Sequence, residues 1–155
     1  ACHGTGAEGR SGYPNLNDDD WLWGGDAESI YKTLKTGIRS GHGEARESQM
    51  PAFGEMLTKE EIEHVTNYVL SLSGKATAMQ QGEVIFKQNC ASCHGDTGQG
   101  GREFGAPNLA DAIWLYGSDK AGIAAQIRQP RHGIMPAWEN RLSDETIKAL
   151  TIYVH

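Results

Sequence analysis

The sequence has 155 residues, 14 basic and 20 acidic side chains, 20 glycines and three cysteines. A net charge of −6 argues against a general nucleic-acid binder, and three cysteines are too few for a disulfide-dense mini-protein. No apolar run within it approaches the roughly 18 residues needed to cross a bilayer, and the length allows one ordinary domain or two small ones, each short of core.

Taken in order, the chain opens on Ala1-Cys2-His3, a lone cysteine beside a histidine. Asp26 to Lys35 reads as a short helix, with Ile30 and Leu34 one turn apart and Gly37 as its stop. Thr58-Lys59-Glu60-Glu61 is a capping box that opens a second helix with an apolar face of Ile62, Val65, Val69 and Leu72, ended by Ser73-Gly74. A third helix, from about Met79, leads into Cys90 with Val84, Ile85 and Phe86 as buried candidates. A fourth runs from about Asp119 to Gln129 before Pro130. Ser143 caps the last helix, with Leu150, Tyr153 and Val154 expected inside. No alternation of period two is strong enough to predict a strand, so the chain reads as all-α with long Gly-rich loops.

The elements repeat. Cys2-His3-Gly4 through Pro14-Asn15-Leu16 matches Cys93-His94-Gly95 through Pro107-Asn108-Leu109. Trp21-Leu22-Trp23-Gly24 matches Trp114-Leu115-Tyr116-Gly117, Ile38-Arg39 matches Ile127-Arg128, and Met50-Pro51-Ala52-Phe53 matches Met135-Pro136-Ala137-Trp138. One order at a nearly constant offset is the mark of a tandem duplication. Its boundary falls in Ser73 to Thr77, giving expected domains 1–74 and 75–155.

Cys90-Ala91-Ser92-Cys93-His94 is C-x-x-C-H, the attachment signature of a c-type haem. Two thiols at this spacing reach the two vinyl groups of one macrocycle, and the adjacent histidine faces the iron. A zinc site would need a second ligand pair, and a thiol-redox site a βαβ setting. As the repeat partner of Cys93-His94, Cys2-His3 is the tail of a second motif, whose other cysteine is expected two positions before Ala1. The sixth ligands expected by the repeat are Met50 and Met135, soft thioethers that raise a haem's reduction potential. Met56 and Met79 have no repeat partners and read as packing. His42 and His132 lie near the methionines as alternative ligands or as polar loop residues. Each axial histidine needs an acceptor for its other ring nitrogen, and Pro14 and Pro107 stand where c-type cytochromes use a proline carbonyl. Arg39 and Arg128 are candidate partners for haem propionates, or plain surface arginines.

Each repeat resembles a class I cytochrome c domain. Trp21 to Gly25, Ser48 to Gly54, Gly98 to Leu109 and Arg131 to Trp138 make the whole chain similar to the periplasmic dihaem part of the CcoP/FixP subunit of cbb3-type cytochrome c oxidases. The resemblance implies two covalent haems c, each with His/Met ligation, His3 with Met50 in the first repeat and His94 with Met135 in the second. It implies electron transfer from a soluble or membrane-anchored donor cytochrome c, through the monohaem subunit, to the haem–copper subunit. It places the chain on the periplasmic side of a bacterial inner membrane, held by an N-terminal anchor that lies outside this sequence. By itself the chain would conduct electrons and catalyse nothing. A free periplasmic dihaem shuttle and a dihaem peroxidase are the competing readings. Residues 1–74 hold 12 acidic and six basic side chains, Asp18-Asp19-Asp20 among them, whereas 75–155 hold eight of each. An acidic first half that steers a basic donor is one expectation; a solvated loop is the other.

Overall fold

A computed structural model describes residues 2–155. Its elements are α1 (Ala27–Thr36), a 3-10 turn (Phe53–Glu55), α2 (Lys59–Leu72), α3 (Gln80–Asn89), α4 (Ala91–His94), α5 (Lys120–Arg128) and α6 (Asp144–Val154). The described residues form isolated β-bridges and no strand. The helix starts follow their caps. Asp26, Thr58, Asp119 and Ser143 each accept a backbone N–H of the first turn, and at Thr58 the box is reciprocal with Glu61.

The chain forms two compact units, and they do not follow the two sequence repeats. Unit 1 comprises the described residues up to Gln49, Arg102–Gly105 and His132–His155. Unit 2 comprises Met50–Gly101 and Ala106–Arg131. Each unit therefore combines the front of one repeat with the back of the other. The boundary near residue 74 divides the duplicated sequence; contacts group the chain differently.

Unit 2 holds the larger core. Phe53, Ile62, Val65, Tyr68, Val69, Leu70, Ile85, Phe86, Ile123 and Ile127 form one buried cluster, drawn from the 3-10 turn, α2, α3 and α5. Helices α2 and α3 cross at Gly82, where a Cβ would fall on the carbonyl of His64 and the Cβ of Tyr68. Beside that crossing the rings of Tyr68 and Phe86 lie 5.2 Å apart, tilted by 50°. Helix α5 packs on the same α2.

In unit 1, α1 packs on α6, and its buried apolar side chains are Trp23, Ile30 and Ile147. Two expectations fail here. Leu150 and Tyr153 are exposed, Tyr153 by 83%, although their repeat counterparts Val65 and Tyr68 are buried. The reason is the neighbour: α3 covers that face of α2, whereas among the described residues the partner of α6 is α1, on the side of Ile147 and Thr151. In α3, Val84 is also exposed while Ile85 and Phe86 are buried, because the helix turns only one stripe to α2. Met56 and Met79, expected as packing, are exposed too.

Two outcomes follow. Gly82→Ala gains about 1 kcal/mol of helix propensity but forces two backbones apart, so its net effect is destabilising by roughly 1–3 kcal/mol in denaturant unfolding of the haem-loaded protein. The amides of α1 and α6 exchange with solvent faster than those of α2 and α3, measured by native-state hydrogen exchange, because fewer apolar side chains cover them.

Candidate haem sites

Helix α3 runs straight into the C-x-x-C-H motif. The Cys90 N–H donates to the Phe86 carbonyl, so the motif inherits the register of a helix seated on the core. Residues Ala91–His94 then make one further turn, ended by Gly95 at φ +77°. His94 is 8% exposed, and its Nδ1 lies 3.0 Å from the Pro107 carbonyl oxygen. A carbonyl only accepts, so Nδ1 carries the proton and Nε2 keeps a bare lone pair. Burial pushes the imidazole pKa below its usual value, outweighing the opposing pull of the Pro107 carbonyl. The ring is thus neutral at neutral pH, the form that can bind a metal. Burial, and then the neighbouring Cys93, pushes the Cys90 thiol up to about 11.

The same construction stands in unit 1. His3 Nδ1 lies 2.8 Å from the Pro14 carbonyl oxygen. The loops that bring the prolines back match bond for bond. The Gly9 N–H donates to the His3 carbonyl and the Gly100 N–H to that of His94, both at 2.7 Å; Leu16 and Leu109 close the loops on Ala7 and Gly98. Ala7 sits at φ +61° where the second repeat has Gly98 at +75°. Gly9 and Gly100 leave no space for a side chain, since a Cβ would meet the returning backbone at Asn15 or at Ala106.

The donor set fits an iron porphyrin: an imidazole whose Nδ1 is tied to a carbonyl and whose Nε2 is bare, next to cysteine thiols with no disulfide partner. Zinc fits poorly. Among the described residues no three His, Cys, Asp or Glu side chains gather at one point.

Each methionine belongs to a different unit from the histidine that precedes it in its repeat. Met50 packs on the unit 2 core, the cluster that also carries Cys90, Ala91, Leu109 and Trp114. Met135 belongs to unit 1, where its N–H and C=O both pair with Ile38. His42 is engaged elsewhere. Its Nδ1 accepts from the Glu44 N–H, so Nε2 bears the proton and donates to Glu139 at 2.5 Å. His132 is half-buried in unit 1.

The arginines divide unequally. Arg39 donates from Nε to the Gly133 carbonyl at 2.7 Å and from Nη1 to the Ser48 carbonyl at 2.8 Å. Arg128 is exposed. Sequence reading missed Arg46 and Arg131, each four residues before its methionine. Arg46 lies over the Trp23 ring at 5.7 Å, and Arg131 over the Tyr116 ring at 4.4 Å. Trp23 and Tyr116 are repeat counterparts, so this cation–π pair is duplicated with the rest. Arg46 Nε is buried without a hydrogen-bond partner in the protein. The signal was available in sequence as an arginine at a fixed distance from each Met-Pro. The acidic run is a turn: Asp18 accepts from the Asp20 N–H, and of the three only Asp19 is fully exposed.

Known families match both halves of the sequence. Residues 77–154 match the model for cytochrome c oxidase, cbb3-type, subunit III, and residues 1–73 match that for cytochrome c. Similar proteins include the cbb3-type cytochrome c oxidase subunits FixP of Bradyrhizobium diazoefficiens, 55% identical, and of Sinorhizobium medicae, 52% identical. The CcoP subunit of Cereibacter sphaeroides is 51% identical. In each case 99% of this chain aligns with 55% of the relative, so the chain spans about half the length of the curated relatives it matches. Tandem C-x-x-C-H-type loops on helical units, matched over the full chain at this identity, place it in the cbb3-type cytochrome c oxidase subunit III (CcoP/FixP) family, built from cytochrome c domains whose haem is covalently attached.

Proposed function

We propose that the chain carries two covalent haems c, each iron held between a histidine and a methionine. It conducts electrons from a donor cytochrome c, through a monohaem subunit, toward the haem–copper subunit of a cbb3-type oxidase, on the periplasmic side of the inner membrane. The observation that carries this reading is the His–Pro hydrogen bond, present twice in one chain at matching repeat positions. When bound, the iron supplies reversible one-electron transfer. The protein's part is to fix the ligands. Nδ1 is tied to Pro14 or Pro107, which sets the ring plane and leaves Nε2 for the metal. Met50 and Met135 would supply the second protein ligand to each iron, which would leave no site for oxygen or peroxide. A ligand set alike in both oxidation states keeps reorganisation small.

The intact, haem-loaded subunit should contain two haems by mass, with both low-spin and unreactive toward cyanide. It should be reduced by cytochrome c and reoxidised by the assembled complex; one haem, or a high-spin iron that takes cyanide, overturns the reading. Among the arginines, Arg46→Gln removes a buried donor with no protein partner. It should lower one haem potential by the equivalent of about 1 kcal/mol in a redox titration, as expected if that donor meets a propionate. Arg128→Gln, at an exposed position, should leave both potentials in place.

A further inference from the structure

Arg39 reaches two backbone carbonyls at once. Its Nε donates to the Gly133 carbonyl at 2.7 Å, and its Nη1 donates to the Ser48 carbonyl at 2.8 Å. Gly133 stands two residues before Met135, and Ser48 stands two residues before Met50, so the two acceptors are repeat counterparts. The guanidinium that grips them is not duplicated in this role, because its counterpart Arg128 is exposed. Arg39, Ser48 and Gly133 all belong to unit 1.

The backbone around Arg39 prepares this grip. On one side, the N–H and C=O of Ile38 both pair with Met135. On the other, the Arg46 N–H donates to the Gly37 carbonyl, and the Arg39 N–H donates to the Arg46 carbonyl. Arg39 thus leaves a short ladder flanked by the Met135 segment and by the lead-in to Met50, and its side chain adds one further rung on each flank. The residue sits at φ +49°, in the left-handed region that a side chain other than glycine adopts only at a cost. The path from Ile38 to Met50 is four residues longer than that from Ile127 to Met135, and the extra length lets Ser48 return to Arg39. A guanidinium is a planar fork whose donors keep a fixed separation, so two carbonyls bound to it keep a fixed spacing. A lysine ammonium, a point charge on a flexible stem, imposes no such spacing.

We infer that Arg39 is a positioning residue for both axial methionines: it fixes the backbone two residues before Met50 and two residues before Met135, and both iron–sulfur bonds depend on it. This rests on the His/Met reading above and is indifferent to which histidine stands opposite each methionine. It gives Arg39 a role different from the propionate partner expected from sequence, since Nε and Nη1 serve carbonyls.

The test uses the intact, haem-loaded subunit and the weak far-red band that ferric haem shows only when a thioether sulfur is bound. Met50→His and Met135→His each remove the share of the band that belongs to one methionine. Arg39→Lys and Arg39→Gln are then added to each, so that one methionine is read at a time. The samples are heated below global unfolding, which far-ultraviolet circular dichroism follows separately. Both Arg39 variants should lose either share at a lower temperature, with the constant for thioether release at a fixed temperature rising roughly fivefold. In the Arg39 variants alone, both haem midpoints should fall in a redox titration, because a loosened thioether favours the reduced iron less. Arg128→Gln should match the unaltered protein. The proposal is overturned if Arg39→Lys or Arg39→Gln leaves the band unmoved, if only one share responds, or if Arg128→Gln acts equally. Absence of the band from the unaltered protein overturns the His/Met reading instead. Should the Arg39 variants not take up haem, nitrogen-labelled arginine in the unaltered ferrous protein decides by magnetic resonance. Slow solvent exchange of the Arg39 Nε–H supports the clamp, and fast exchange overturns it.

Discussion

The crossing of α2 with α3 at Gly82 is the contact on which the rest of the architecture depends. It joins the last helix of the first repeat to the first helix of the second. Once made, it consumes the apolar face of α2, so α5 must close the same cluster from its other side. Helix α6 is then left to find α1. A small domain cannot bury a full core from a single three-helix repeat, and sharing helices between repeats is one way to complete it. The pairing of elements follows from which apolar stripes are available, rather than from proximity along the chain.

The site geometry is set by a second constraint, the need to satisfy Nδ1 of each histidine. A buried imidazole with both nitrogens free would cost a desolvated donor. Pro14 and Pro107 supply the acceptor because a Gly-rich loop returns the backbone to the histidine, and Gly9 and Gly100 let the two strands of that loop touch. Proline suits the acceptor position, since it offers a carbonyl and has no N–H of its own to satisfy. The glycine content that stood out in the composition is concentrated in these returns and in the helix stops.

The sequence was legible where the signal is local. The caps at Asp26, Thr58, Asp119 and Ser143 mark four helix starts, because a side-chain oxygen three residues from an orphan N–H is a short-range device. The motif Cys90 to His94 and the proline acceptors are likewise written within about fifteen residues. What could not be read is which helix meets which. Periodicity shows that α6 has an apolar stripe, and it assigned Tyr153 to the inside by analogy with Tyr68; burial of Tyr68 depends on α3, a separate element, and Tyr153 has no equivalent cover. The duplication boundary near residue 74 is a repeat signal, and the two family matches, 1–73 and 77–154, meet there; how contacts group the chain is a separate matter that sequence order does not carry. Arg46 escaped notice because it was compared with no partner, although Arg131 stands at the same distance from its own Met-Pro.

The grouping of elements also redistributes charge. Along the sequence the whole excess of acid lies in residues 1–74, which invites the picture of one acidic domain facing a donor. In the folded units the division is milder. Unit 1 holds 12 acidic and eight basic side chains, net −4, and unit 2 holds eight and six, net −2. The bias toward unit 1 survives at reduced size, because the four carboxylates that leave with residues 50–74 are matched by Glu103, Glu139, Asp144 and Glu145, whereas the loss of Lys59 is outweighed by the arrival of Arg102, Arg141 and Lys148. Within the Asp18–Asp20 run, one carboxylate already serves its own backbone turn. Long-range attraction of a basic partner depends on the sum over a whole face more than on a run of three, and screening at physiological salt confines it to about 8 Å. A basic partner would thus find both units mildly acidic, with unit 1 the more attractive by a margin of two charges, and orientation at close range left to short-range contacts.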